Sequence, residues 1–350
     1  VLHLEDVGHG LLVREERAGD QPVKPLGAYQ QKVLTAARFG TPYPYEIVRL
    51  FTQHPAEPGL PADSFVELDL DADDRLVPVH RDPGANTAHI VVGLLTSHST
   101  VVPEGMQRVA LLSDPTQGLG NLAEPECRRV NAALDYAREH HLPVEWFAVS
   151  SGALIAMDSG TENMDWIALT LRRLIEFTQA GGEINIVVTG INVGGQPYWN
   201  AEATMLTHTK GILVMTPSST MVLTGKQALD FSGAVSAEDN FGIGGYHRVM
   251  GPNGQAQYWT SSFAEACALL LRHYELTYVV PGERFPRRRP TVDPIDRDVR
   301  ASPHAALASC PFSTVGDVFS AELNPERKQP FDMRSVMRAV ADTDSPPLER

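Results

Sequence analysis

The sequence predicts an α/β fold whose ligands sit at strand-to-helix turns, and three observations carry that reading. From residue 76 onward, apolar runs of strand length alternate with amphipathic stretches of helical spacing. A strand-like run, Ile184 to Thr189, leads the chain into the paired glycine Gly194-Gly195 where a helix can begin. About forty residues upstream lies a second turn, Val149-Ser150-Ser151-Gly152-Ala153, again after an apolar run. Paired glycines admit a ligand close to the backbone, and a helix start leaves N–H groups unpaired. Such donors suit an oxygen gathering negative charge. No side chain stands out as a catalyst, so the two turns point to stabilisation of an enolate.

The elements are expected in the following order. Residues 1–20 alternate apolar and polar around Gly8-His9-Gly10, a hairpin pattern. A helix is expected from Gln30 to Phe39, then a break at Gly40-Thr41-Pro42-Tyr43-Pro44-Tyr45, then a short helix through Ile47 to Phe51. Residues 54–64 are rich in Pro, Ala and Gly and read as loop. Phe65 to Leu70 reads as a strand, and the acidic run after it as a solvated loop. Ile90 to Leu95 and Val109 to Leu112 are strand-like. Glu124 to Glu139 is helical, with Val130, Leu134 and Ala137 on one face. Val144 to Val149 is the next strand, and Met164 to Thr178 an amphipathic helix through Ile167, Leu171, Leu174 and Ile175. After strand 184–189 come helix-like 198–206, short strands Ile212 to Met215 and Met221 to Leu223, and a helix from Phe263 to His273. Pro281 to Pro294, with Arg284, Arg287, Arg288 and Arg289, reads as a linker, and Met333 to Val340 as a last short helix. The expected organisation is a hairpin and helical lead-in over 1–75, a core over 76–280, and a linker with a short tail over 281–350.

The 43% hydrophobic content supports a substantial core, and the net charge of −14 argues against generic binding to nucleic acid or to an anionic membrane. Cys127, Cys267 and Cys310 form no C-x-x-C pair, which makes a reducing cytoplasm the default. No apolar run approaches the length of a membrane span and no signal-peptide pattern opens the chain. Beginning at Val1 and stopping at Ser345-Pro346-Pro347-Leu348-Glu349-Arg350, it reads as a segment of something longer.

Further motifs narrow the class. Gly190, Gly194, Gly195 and Tyr198 fit Gly-x-x-x-Gly-Gly-x-x-Tyr, and Ser150-Ser151-Gly152-Ala153-Leu154 is close to Ser-Gly-Gly-Ala-Arg. Thr224-Gly225 and Ile243-Gly244-Gly245 add a strand end and a second paired glycine. Together with Arg81-Asp82-Pro83-Gly84-Ala85-Asn86-Thr87 and Asp293-Pro294-Ile295-Asp296-Arg297, these resemble the carboxyltransferase domain of biotin-dependent acyl-CoA carboxylases of the single-chain multidomain type. The resemblance runs from about Tyr29 to the end of the chain. It implies a crotonase/ClpP-like ββα superhelix, the N-terminal unit of two in tandem, and makes 281–350 the linker and the start of the C-terminal carboxyltransferase unit. It further implies transfer of CO2 from carboxybiotin to the α carbon of an acyl-CoA, without a side-chain base.

By the same resemblance, backbone N–H groups around Gly152-Ala153 and Gly194-Gly195 stabilise the enolate and ureido oxyanions. Ser151, Tyr198, Gly244, Gly245 and Lys226 are the implied binding residues, with no metal. Implied partners are an acyl-CoA, a biotin carrier domain and a biotin carboxylase domain where alone ATP acts. The second carboxyltransferase unit of a homodimer partner completes the set. Two departures stand out: Leu154 replaces the usual arginine, and Gly118 a basic residue within Asp114-Pro115-Thr116-Gln117-Gly118-Leu119-Gly120. Either other cations take over, with Lys210, Lys226, Arg128 and Arg129 as candidates, or the acyl-CoA differs from acetyl-CoA. A biotin-dependent decarboxylase on the same scaffold, or a non-catalytic dimerisation scaffold, are the alternatives.

Other constellations are weaker. Glu238-Asp239 reads as an acid/base pair or, preferably, as residues capping a helix into Phe241-Gly242. A Ser151, His208, Asp239 set lacks a G-x-S-x-G elbow. The arginines of 284–289 read as a solvated linker rather than a phosphate grip.

Overall fold

The computed structural model describes residues 2–6, 11–15, 25–53, 58–205, 209–233, 236–307 and 310–345, with the backbone alone for 2–6 and 11–15. It comprises two compact units: Val1–Ser99 with Pro103–Leu270, and Thr100–Val102 with Leu271–Arg350.

The first unit opens with β1 (Leu2–Asp6) and β2 (Leu11–Glu15), an antiparallel pair, as expected. The residues of the expected turn, Gly8-His9-Gly10, lie outside the described residues. Next come α1 (Ala28–Arg38) and α2 (Pro44–Thr52), the latter begun by Pro44, whose fixed φ suits a first helical turn. The sheet strands and helices then follow: β3 (Ser64–Leu70), β4 (Leu76–Pro78), β5 (Ile90–Ser97), β6 (Met106–Ser113), α3 (Glu124–His140), β7 (Val144–Ser150), α4 (Glu162–Gln179), β8 (Ile184–Val193) and α5 (Gly195–Ala203). The unit closes with β9 (Leu213–Met215), β10 (Thr220–Val222), α6 (Lys226–Phe231), α7 (Asn240–Gly244), a π-helical turn at Tyr246–Met250, β11 (Tyr258–Trp259) and α8 (Phe263–Thr277), which continues into the second unit.

One mixed sheet runs in the order β11-β9-β8-β7-β6-β5-β3-β4, with β10 on β8. The β4-β3-β5-β6 side is antiparallel, and β6 through β11 is parallel. Every residue of β7 is buried, as expected of a parallel strand covered on both faces. Val130, Leu134 and Ala137 of α3 and Leu174 of α4 are all at most 1% exposed, so the face read from helical spacing is the buried one. Trp146 on β7 and Trp199 on α5 are fully buried with ring centroids 5.7 Å apart, and their N–H groups donate to Ser113 Oγ and to the Ile167 carbonyl. This pair anchors α5 to the sheet.

The strand expected to stop at Thr189 continues to Val193, and the helix expected over 198–206 runs from Gly195 to Ala203. The reason is a fork in the sheet. Ile186–Val188 of β8 pair with β9, whereas Ile191–Val193 pair with β10. On the other flank the β7–β8 register slips between Ala148 and Ser150. The Ala148 carbonyl at this slip accepts instead from Thr189 Oγ1 (3.2 Å) and Asn192 Nδ2 (3.0 Å). Side chains thus replace the ladder at the slip, and pairing resumes where Ser150 meets Asn192.

The second unit holds little regular structure: a 3-10 turn at Val299–Ala301, α9 (Val315–Val318) and α10 (Met333–Val340), the last with the expected bounds. Thr314 and Asp332 cap the two helices, and Arg297 donates to the carbonyls of Ala339 and Ala341. Residues 281–294 contain neither helix nor strand. Among the described residues, no helix is long and apolar enough to cross a membrane.

Candidate active site

Two sharp bends end β7 and β8. Gly152 has φ +97°, and Gly194 has φ +65° with ψ −119°, conformations that a side chain disfavours. The bends meet. A Cβ built on Gly194 would lie 3.5 Å from the Gly152 Cα, and one built on Gly152 would lie 3.4 Å from the Val193 carbonyl oxygen. The two turns singled out from sequence therefore lie against each other at the C-terminal edge of the parallel strands, the edge where α/β sheets hold ligands.

The amides of this site divide into spent and available. Gly152 N–H donates to Ser150 Oγ at 3.1 Å, and Gly194 N–H to the carbonyls of Val222 and Leu223, each at 3.2 Å. These two expected donors are consumed by the fold itself. The Gly152 carbonyl accepts from Leu122 N–H at 2.8 Å. A planar trans peptide points its C=O and N–H in opposite directions, so Ala153 N–H faces away from the 118–122 loop. Gly195 is the first residue of α5, where no intrahelical acceptor exists for its N–H. Among the described residues, neither the Ala153 nor the Gly195 N–H meets an acceptor outside regular helix and strand bonding.

Beneath the second bend runs a buried chain of amides that sequence reasoning did not single out. Gln196 Nε2 donates to Asn200 Oδ1 (2.9 Å), and Asn200 Nδ2 donates to Asn192 Oδ1 (2.8 Å), with all three residues fully buried. Asn192 then reaches the Ala148 carbonyl, tying the start of α5 to both strand ends. The four-residue spacing of Asn192, Gln196 and Asn200 through the turn was the available signal.

The remaining expected residues distribute as follows. Ser151 donates through Oγ to the Gly118 carbonyl (2.7 Å) and through N–H to the Leu119 carbonyl (2.9 Å), which anchors the first bend. Tyr198 stands half-exposed on the first turn of α5. Gly244 is a packing glycine: a Cβ there would lie 2.0 Å from the Met221 carbonyl oxygen. Gly245 lines a cavity of about 290 Å³ with Thr216, Ser219, Tyr246, His247 and Trp259. Lys226 begins α6, three residues beyond Leu223, whose carbonyl holds Gly194, and its Nζ pairs with Asp230 at 2.5 Å.

Of the other cations considered, Arg128 pairs with Asp74 and Glu124, Arg129 with Asp69, and Lys210 donates to Gly181 near the start of β8. None of the three stands at the glycine bends. Asp239 caps α7 by accepting from Gly242 N–H, and Glu238 pairs with Arg248, the capping role favoured from sequence. His208 lies outside the described residues. In the basic run, Arg287 pairs with Glu283 and Arg289 with Glu275.

The chain is similar to known proteins along most of its length. Residues 55–346 match the carboxyl transferase domain family. An acetyl-CoA carboxylase, dmxL1, of Cryptosporiopsis sp. is 30% identical over 165 residues, 42% of this chain and 7% of that protein. The acetyl-CoA carboxylase of Saccharomyces cerevisiae is 32% identical over 138 residues, 37% of this chain and 6% of that protein. A mitochondrial acetyl-CoA carboxylase of Saccharomyces cerevisiae is 29% identical over 138 residues, likewise 37% of this chain and 6% of that protein. The chain therefore spans only a small part of the length of the curated relatives it matches. It belongs to the carboxyl transferase domain family.

Proposed function

We propose that this chain is the N-terminal, crotonase-like half of a carboxyltransferase that moves a carboxyl group from biotin to the α carbon of an acyl-CoA. The observation that carries this reading is the meeting of the two bends, with the Ala153 and Gly195 N–H groups as donors. Removing the α proton of a thioester places negative charge on its carbonyl oxygen. Two preorganised backbone donors lower that cost, because they need no reorganisation as charge develops. Biotin, carried on a separate domain, supplies the carboxyl group and a nitrogen able to take the proton. The glycine bends suit both reactants, since side-chain bulk is missing at Gly152 and Gly194 where they must approach.

Lys226 is the cation best placed to meet a CoA phosphate, and the cavity beside Gly245 extends the surface available to the CoA arm. Leu154 and Gly118 leave the first bend without the basic residues common in single-chain carboxylases, so either cations elsewhere, Lys226 first among them, hold the CoA or the acyl-CoA differs from acetyl-CoA. Residues 281–350 begin the second unit, and the corresponding unit of a partner subunit completes the biotin side. The biotin carboxylase domain, with its ATP, lies elsewhere in the parent enzyme. The test is the full-length parent with ATP, labelled bicarbonate and a series of short and long acyl-CoAs. Labelled carboxylated thioester supports the reading; no labelled product across the series removes it.

A further inference from the structure

We propose that Asp114 is the positioning residue of this site, setting the direction of the Ala153 N–H through the turn at 118–122. Its effect on catalysis rests on the carboxyltransferase reading above, while its effect on the backbone stands on hydrogen bonds alone.

Asp114 follows β6 and is fully buried. Its Oδ1 accepts from Thr116 N–H (2.9 Å) and Thr116 Oγ1 (2.6 Å). Its Oδ2 accepts from Asn86 Nδ2 (2.9 Å) and Gln117 Nε2 (3.1 Å). Four neutral donors thus hold a buried carboxylate, an arrangement that is costly to bury unless every lone pair is used. Asn86 comes from the Arg81–Thr87 segment, so that segment is joined to the site through this carboxylate.

What Asp114 holds is an unusual stretch of backbone. Gly118, Leu119 and Gly120 have φ of +54°, +53° and +65° in succession. Leu119 carries a Cβ, so its left-handed conformation persists only because the surroundings enforce it. A Cβ on Gly120 would lie 2.3 Å from the Val149 carbonyl oxygen, so the turn is pressed against the end of β7. In this conformation the carbonyls of Gly118 and Leu119 both accept from Ser151. Leu122 N–H then meets the Gly152 carbonyl, and Leu154 N–H meets the Leu122 carbonyl, both at 2.8 Å. The Gly152–Ala153 peptide is thereby fixed from one side, and its N–H points away from the 118–122 turn. Gly152 itself offers little resistance to rotation of that peptide, so the direction is supplied by the turn that Asp114 braces.

The test uses Asp114→Asn and Asp114→Ala in the full-length parent, with two readouts. Amide hydrogen exchange is measured over 149–154 and over 184–188, and kcat and KM are measured for the CoA thioester. The expected result is exchange about tenfold faster at Ser151 and Leu154, with 184–188 unchanged. A kcat lower by about tenfold to a hundredfold is expected with KM within about twofold, as for a misaimed rather than a missing binding group. Asn keeps one acceptor oxygen, so Asp114→Asn is expected to fall between wild type and Asp114→Ala. Should Asp114→Ala fail to fold, Asp114→Asn and Thr116→Val, which removes one donor, decide the matter. Unchanged exchange at 151–154 in a folded variant overturns the proposal, as does a raised KM at unchanged kcat. If wild type transfers no carboxyl group, the functional reading falls, and the exchange data still decide the positioning role.

Discussion

Asn200 donates to Asn192 at 2.8 Å, both residues fully buried, and Asn192 in turn donates to the Ala148 carbonyl at the slip between β7 and β8. Removing Asn192 as Asn192→Ala strands the Asn200 amide and deprives the Ala148 carbonyl of one of its two donors. Leaving a buried donor unmet costs about 1–3 kcal/mol. The expected outcome is a loss of unfolding free energy in that range, read by urea denaturation, together with reduced carboxyl transfer. Unchanged stability would show that this chain of amides does not brace the fork.

Lys226 distinguishes a surface charge from a ligand contact. Its pair with Asp230 joins side chains that are 30% and 49% exposed, and a pair of that kind contributes about 0–1 kcal/mol. Lys226→Ala is therefore expected to leave thermal stability nearly unchanged. If Nζ meets a CoA phosphate in the complex, KM for the thioester rises about tenfold, the loss of one charge-assisted hydrogen bond, while kcat holds. Steady-state kinetics with CoA thioester as the varied substrate checks this.

Cys127 and Cys267 are expected to be inert in the native protein. Burial pushes the Cys127 thiol up to about 12, and burial likewise holds Cys267 well above the ordinary thiol range. The folded state keeps the Cys127 proton between pH 9 and 12 while the unfolded state gives it up. This contribution to stability is therefore complete below about pH 9 and is lost as pH rises toward 12. Iodoacetamide at pH 8 should modify neither residue until denaturant is added, as read by mass spectrometry of the corresponding peptides.

Much of this architecture is legible in the chain because it depends on local spacing. The buried faces of α3 and α4, the strand β7 and the bounds of α10 follow from apolar periodicity and from caps such as Asp332. The fork in β8 does not, because Ile191–Val193 are held in a strand by β10, nearly thirty residues further along. The same non-local pairing explains why Gly194 gives no free donor: its N–H is taken by Val222 and Leu223. Glycine patterns locate both bends, but which of the neighbouring amides stays open depends on acceptors elsewhere in the fold. The role of Asp114 was hidden for the same reason, since its Asn86 donor lies twenty-eight positions away.

The most direct test of the two-donor site compares Gly195→Pro with Gly195→Ala in the full-length enzyme. Both add bulk against the Ile167 side chain, where a Cβ would lie 2.6 Å from Cγ2, but only proline removes the N–H. Proline suits the first position of a helix, so α5 keeps its start. With both variants folded, kcat for carboxyl transfer is expected to be about a hundredfold lower in Gly195→Pro than in Gly195→Ala, the usual cost of losing one oxyanion donor. Equal rates in the two variants would contradict a backbone donor at Gly195, and with it the paired-bend account of this site.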